Sequence, residues 1–206
     1  MSDSKGVRFG ISNAHYALYT EGASGALGTY ATPVPMKGAT QLTLTPQGNT
    51  WTFYADNIAY ETGSSNTGYE VSVTIAVFGD QAKVDLLDYA VDSNGVVYEP
   101  ADAEPKSCAF LWEFGGSKVK KRGLLYDVKF NRPTMTANTE TDSVDPDTDE
   151  LTGVAIGRDL TIDGEVVNVI KASVTNETAT KTQFDSWFNA VYIVGSGATG
   201  ATGTTS

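Results

Sequence analysis

The stretch from Tyr69 to Val91 constrains this chain most. Tyr69, Val71, Val73, Ile75 and Val77 occupy alternate positions, with Glu70, Ser72, Thr74 and Ala76 between them. A sustained period of two specifies a strand with one face in a core. Val and Ile suit it because their branched Cβ packs well on a pleated surface. At Gly79 the pattern changes. Asp80 is placed to cap a helix by accepting from free backbone N–H groups. Val84, Leu87 and Val91 then recur at helical spacing, with Lys83, Asp85 and Asp88 on other faces. Asn94-Gly95 stops the helix and turns the chain. The expectation is a strand feeding an amphipathic helix over 80–91, lying across a sheet built around the pair.

At 206 residues the chain has room for one domain, expected over 1–194. A domain of this size buries roughly 70% of its unfolded surface without help from a metal or disulfide. The lone cysteine, Cys108, sits in an apolar run and reads as a buried structural thiol. The opening MSDSKGVRFG has no apolar core of a signal peptide. Apolar runs such as Ala190–Val194 are too short to span a bilayer, so no membrane partner is expected. The expected product is soluble and made in the cytoplasm.

Formal net charge is −11. That disfavours a protein that grips nucleic acid through a basic footprint. It does not disfavour a wall along which DNA slides. The charge is uneven: 140–165 carries nine acids and one base, Arg158, while Lys118, Lys120, Lys121 and Arg122 form a basic cluster. Such runs are ordinarily solvated faces; in a self-assembling protein they also serve as complementary contacts.

In chain order, Val7 to Thr20 reads as one or two short strands, and Gly22 to Gly28 as a loop. Pro33-Val34-Pro35 is stiff and extended. Leu42 and Leu44 mark a half-buried strand, Pro46 to Asn49 a turn, and Trp51 to Tyr54 the returning arm of a hairpin. Ala55 to Gly68 is polar and small, a candidate functional or mobile loop. Cys108 to Phe114 is apolar on both faces except at Glu113, a central strand. Leu124, Tyr126, Val128 and Phe130 alternate with Leu125, Asp127 and Lys129, so the return strand has a wetter face. Leu151–Ile156, Leu160–Ile162 and Val166–Ile170 are strand segments, the last two joined by the tight turn Asp163-Gly164. Thr180 and Gln183 form a capping box, and Phe184, Trp187, Phe188 and Val191 place an aromatic helix at about 181–190. Residues 195–206 hold only Gly, Ala, Thr and Ser, a flexible tail.

Motifs for chemistry are weak. His15 lacks neighbouring ligands for zinc and has no nucleophile-elbow serine. Gly195-Ser196-Gly197-Ala198-Thr199-Gly200 matches a dinucleotide fingerprint by low complexity, with no room for the helix that should follow. Asp145, Asp147 and Asp149 alternate as in a calcium loop, but Glu150 stands where the sharp turn needs glycine. Asn176-Glu177-Thr178 is a glycosylation sequon by pattern alone. No spacing singles out an acid and a base among the carboxylates. No cofactor, metal or enzymatic activity is expected.

Several stretches together resemble the major tail tube proteins of long-tailed bacteriophages of Gram-positive hosts. They are Val7-Arg8-Phe9-Gly10-Ile11-Ser12-Asn13-Ala14-His15-Tyr16, Pro33-Val34-Pro35-Met36 with Gly38, and Thr52-Phe53-Tyr54-Ala55-Asp56-Asn57. Further on stand Ala101-Asp102-Ala103-Glu104-Pro105-Lys106, Phe110-Leu111-Trp112-Glu113-Phe114 and Trp187-Phe188. The similarity runs from about Val7 to Val194 and lies in order and spacing.

The resemblance implies a mainly β, two-sheet sandwich or barrel with a packed helix. Six copies would form a ring through edge-to-edge strand pairing, which completes open sheet edges. Rings would stack into a tube in the virion, meeting tail-tip, tape-measure and tail-terminator proteins, with DNA passing unbound. An acidic lumen repels phosphate. The expected ring-to-ring contact is the Ala55–Gly68 loop, with Asp56, Asn57, Tyr60, Glu61 and Asn66. The expected subunit charge contact is Lys118, Lys120, Lys121 and Arg122. The alternative is a β-sandwich that binds carbohydrate, with Trp51, Trp112 or tyrosines stacking on sugars.

Overall fold

The computed structural model describes residues 8–22, 28–116, 119–134, 148–177 and 179–195. Its strands in chain order are β1 (Arg8–Thr20), β2 (Thr29–Tyr30), β3 (Val34–Pro35), β4 (Ala39–Gln47), β5 (Thr50–Ala55), β6 (Ile58–Ser64) and β7 (Gly68–Ile75). After helix α1 (Asp80–Leu87) come β8 (Ala90–Val91), β9 (Val97–Tyr98), β10 (Cys108–Gly116), β11 (Lys121–Phe130), β12 (Asp149–Ile156), β13 (Arg158–Ile162), β14 (Glu165–Val169) and β15 (Lys171–Thr175). A short helix α2 (Lys181–Asp185) runs into a 3-10 turn, Ser186–Phe188. The chain is mainly β.

The main sheet runs β2-β1-β10-β11-β12-β7-β4, and β15 also pairs with β11. The antiparallel pair β10–β11 is its centre. Cys108, Phe110 and Trp112 face one core with Tyr16, Val71, Val73, Ile75, Phe130 and α1. Ala109, Leu111, Leu124 and Tyr126 face a second core, covered by Leu160, Trp187 and Val191. Burial on both faces is why β10 reads as an apolar run broken only by Glu113. Each large side chain buried there contributes roughly 1.5–3 kcal/mol.

Of the wetter face expected for β11, Lys129 is exposed, but Leu125 and Asp127 are buried, and a bulge is the reason for Leu125. Cys108 pairs with Val128 but Phe110 with Leu125, so three residues of β11 span the space of two on β10. The extra residue resets the alternation. Leu125 therefore joins Val128 and Phe130 in the first core. At the same place the sheet forks: Lys121–Leu125 pair with β15, and Asp127–Phe130 pair with β12.

The strand at Tyr69 ends at Ile75. Val77 is exposed, and Phe78 takes the next core position while its N–H donates to Asp149 Oδ2 at 2.8 Å. Helix α1 is shorter than the expected 80–91, and a different face is buried. Asp88 adopts a left-handed conformation (φ 58°) and ends it. Ala82 and Leu86, four apart, pack inward with Leu87, while Val91 lies exposed in β8. Asp80 sits in the first turn rather than at the cap, which is Gly79. Asn94-Gly95 instead turns β8 into β9. The segment from Val7 is one long strand from Arg8, broken by register shifts. The aromatic helix is also shorter than 181–190, yet Thr180 caps it by accepting from Gln183 N–H, and Phe184, Trp187 and Val191 are buried.

Candidate assembly surfaces

The segment expected as a loop over 55–68 is half of a projecting hairpin. Strand β5 does not return along β4. It continues outward, turns at Asp56-Asn57 and comes back as β6, forming a separate two-stranded ribbon. Asp56 and Asn57 both have positive φ, 50° and 62°. Those are the angles of a tight primed turn, and Asp and Asn tolerate them better than most side chains. At the base, Ser65 N–H donates to Asn49 O and Thr67 N–H to Gln47 O, joining the ribbon to β4 and β7. Asn66 Oδ1 accepts from Gly68 N–H at 3.2 Å. Gly68 admits no side chain, because a Cβ there would stand 2.1 Å from Ala155 O.

Among the described residues no layer covers the ribbon. Trp51 is 50% exposed, Phe53 56%, Tyr54 67%, Ile58 63% and Tyr60 72%. Trp51 lies across its partner Gly63, where an added Cβ would come within 2.6 Å of the indole. The Phe53 and Tyr60 rings meet edge to face at 6.4 Å. A lone two-stranded hairpin is only marginally stable in water, and so many exposed aromatics on one ribbon mark an interaction surface. Asp56 and Asn57 occupy its tip and Tyr60 and Glu61 its returning arm, while Asn66 is held at the base.

The basic cluster opens β11. Lys118 lies outside the described residues. Arg122 is engaged within its own chain: Nε lies 2.6 Å from Oε2 of the buried Glu113. Its guanidinium carbon stands 3.9 Å from the Phe184 ring centroid and 4.8 Å from that of Phe188. It also donates to the Phe184 carbonyl. Lys120 is exposed, with Nζ 3.9 Å from Glu113 Oε1. Lys121 is exposed and makes no ion pair among the described residues. Arg122 thus holds the C-terminal segment on the sheet, and the two lysines face outward.

On the sheet face that carries Arg122, β15 and α2 bound an apolar groove of about 270 Å³, lined by Ala172, Val174, Ala179, Gln183, Trp187 and Tyr192. The outer faces of β4, β7 and β12 are largely polar and carry no covering layer among the described residues. Register places Gln41, Thr74 and Glu150 in one row, Thr43, Ser72 and Thr152 in the next, and Thr45, Glu70 and Val154 in a third. Ser72 donates to Glu150 Oε1 at 2.7 Å, and Gln47 to Glu70 Oε2 at 3.2 Å.

Compared with known proteins, the chain matches no family model and no curated sequence.

His15 stacks on Phe188 with centroids 4.6 Å apart, and its Nδ1 lies 2.9 Å from Asn13 O. Cys108 is fully buried, and burial pushes its thiol well above the ordinary range. Burial, followed by the hydrogen bond to Asp85, likewise raises the Tyr16 hydroxyl. Among the described residues no cluster of three His, Cys, Asp or Glu is placed to hold a metal. Asp145, Asp147, Thr178 and most of the Gly/Ala/Thr/Ser tail lie outside the described residues. Trp112 is buried and unavailable for sugar stacking. Trp51 is half-exposed.

Proposed function

We propose that this chain is the tube-forming subunit of a long-tailed bacteriophage: copies join into rings, and rings stack into the tail tube of the virion. The observation that carries it is the exposed aromatic ribbon of β5 and β6, which a second copy would cover. Tail-tip, tape-measure and tail-terminator proteins would be its other partners. DNA is cargo, not ligand. The outer face of β4, β7 and β12 is our candidate lumen wall, since hydroxyls, amides, Glu70 and Glu150 dominate it and the one cation in its register rows, Lys129 of β11, lies at its edge beside Val154.

Negative-stain imaging of concentrated protein tests this reading directly, with rings or tubes as the expected result. Replacing Thr50–Ser64 by a short turn should leave a folded monomer. Tubes of normal length from that variant would refute the ribbon's role.

A second reading has one observation in its favour. The half-exposed Trp51 indole is a flat surface of the kind that stacks on sugars. Under that reading the purified chain runs as a monomer on gel filtration and binds on a glycan array, and Trp51→Ala abolishes the binding.

A further inference from the structure

The turn between β8 and β9 brings together the parts of a backbone rearrangement. Asn94 alone among the chain's asparagines is followed by glycine. Asn94 and Gly95 are both exposed. Gly95 lies at φ 83°, and a Cβ on it would meet nothing within 4 Å. A side chain at such a position screens the backbone nitrogen, whereas glycine leaves it open to the preceding side-chain amide.

Asp92 organises this turn. Its backbone N–H donates to Val96 O at 3.0 Å, and its carbonyl accepts from Gly95 N–H at 3.1 Å. Its Oδ1 accepts from the N–H groups of Asn94 and Val96, each at 2.8 Å. Its Oδ2 accepts from Asn94 Nδ2 at 3.4 Å. The N–H of Val96 first, and those of Asn94 and Gly95 with it, hold the carboxyl below its ordinary range, so it is ionised at neutral pH. One carboxylate therefore stands beside both the Gly95 N–H and the Asn94 amide.

We infer that Asn94 deamidates in the folded protein, with Asp92 carrying the proton. Gly95 N attacks Asn94 Cγ while the Asp92 carboxylate takes the N–H proton. The Cγ–Nδ2 bond breaks, the same proton passes to the departing nitrogen, and ammonia leaves a cyclic imide. Water then opens the ring at either carbonyl, giving an aspartyl or an isoaspartyl residue. Both products add a negative charge facing Asp92, and the isoaspartyl form also adds a methylene to the main chain. The hairpin that exposes Val91, Val96 and Tyr98 thereby loosens at its tip. This inference is independent of the assembly reading.

Peptide mapping by mass spectrometry, after incubation of the native protein in warm neutral buffer, tests it. Both products should accumulate on the peptide that spans the turn, at least as fast as in the same chain unfolded in urea. Asp92→Asn separates proton transfer from bracing of the turn. Its side-chain oxygen still accepts from the N–H groups of Asn94 and Val96 but cannot take a proton. Asp92→Ser offers a hydroxyl oxygen to the same ends. Each variant should slow the native reaction about tenfold. That is short of what an acid–base group tuned to its working pH contributes, because this carboxyl is held low. A bracing role alone would leave the rate unchanged. A native parent slower than its unfolded chain, or either variant keeping the parent's rate, overturns the inference.

Discussion

Two hairpins of this molecule are written in nearly the same local language and have opposite fates. Strands β10 and β11 carry Phe110, Trp112, Leu124 and Tyr126; strands β5 and β6 carry Trp51, Phe53, Ile58 and Tyr60. The first pair is buried on both faces, the second on neither. Strand pairing follows from β-branched and aromatic content together with a turn. Burial follows from what the rest of the chain lays over the pair. The difference shows that a hairpin's own residues do not say whether they stabilise the subunit or await a partner.

The sharpest way to break this comparison is truncation of one aromatic in each. Phe110→Ala removes a ring packed between Trp112 and Phe130 and should cost about 3–5 kcal/mol in urea denaturation. Phe53→Ala, on the ribbon, should change monomer stability by less than about 0.5 kcal/mol while impairing assembly. Equal losses of stability would erase the distinction.

Next in size is the Glu113–Arg122 pair, which ties the central hairpin to the C-terminal segment. Removing one partner of a fully buried pair costs about 3–5 kcal/mol. Glu113→Ala should fall lower, at about 2 kcal/mol, because Arg122 retains the Phe184 and Phe188 rings and some solvent access. Chemical denaturation monitored by tryptophan fluorescence reads this loss.

Alkaline pH separates the regions more gently. Burial raises the hydroxyls of Tyr16, Tyr30 and Tyr126 above their ordinary 10.0, and the Cys108 thiol above its ordinary 9.0. Groups raised in the folded state favour folding while the unfolded chain is also protonated. Their contribution is lost as pH climbs past 9.0 and then 10.0, where only the unfolded state ionises. The melting temperature should therefore fall above pH 9, and Cys108 should resist thiol reagents in the folded protein at pH 8. Rapid labelling of the native state would contradict its burial.

The smallest effect concerns exchange rather than stability. Amides of β10 and β11 should exchange only on global unfolding, and those of β5 and β6 by local opening. In the assembled form the ribbon's amides should slow. Unchanged exchange on assembly would mean that the ribbon stays free.

Much of this was legible in advance. Alternation at Val71, Val73 and Ile75 marked an inward face, and the capping box at Thr180 marked a helix start. Asp163-Gly164 marked a tight turn. The ribbon's turn was also written locally, as Asp56-Asn57 between aromatic segments. The polar run Thr62-Gly63-Ser64 obscured it, since a strand with no buried face need not alternate. Arg122 looked like its lysine neighbours because a basic run does not reveal which member finds a buried carboxylate.

By itself the sequence determined the mainly β character, the paired apolar strands at the centre and the acidic surface, because pattern, propensity and charge are properties of neighbouring residues. Only the tertiary structure decided the bulge at Tyr126–Asp127, the fork of the sheet, the burial of Glu113 beside Arg122 and the exposure of the β5–β6 ribbon. Each depends on which distant segments share a side of the sheet, and contacts between residues far apart in the chain leave no local periodicity to read.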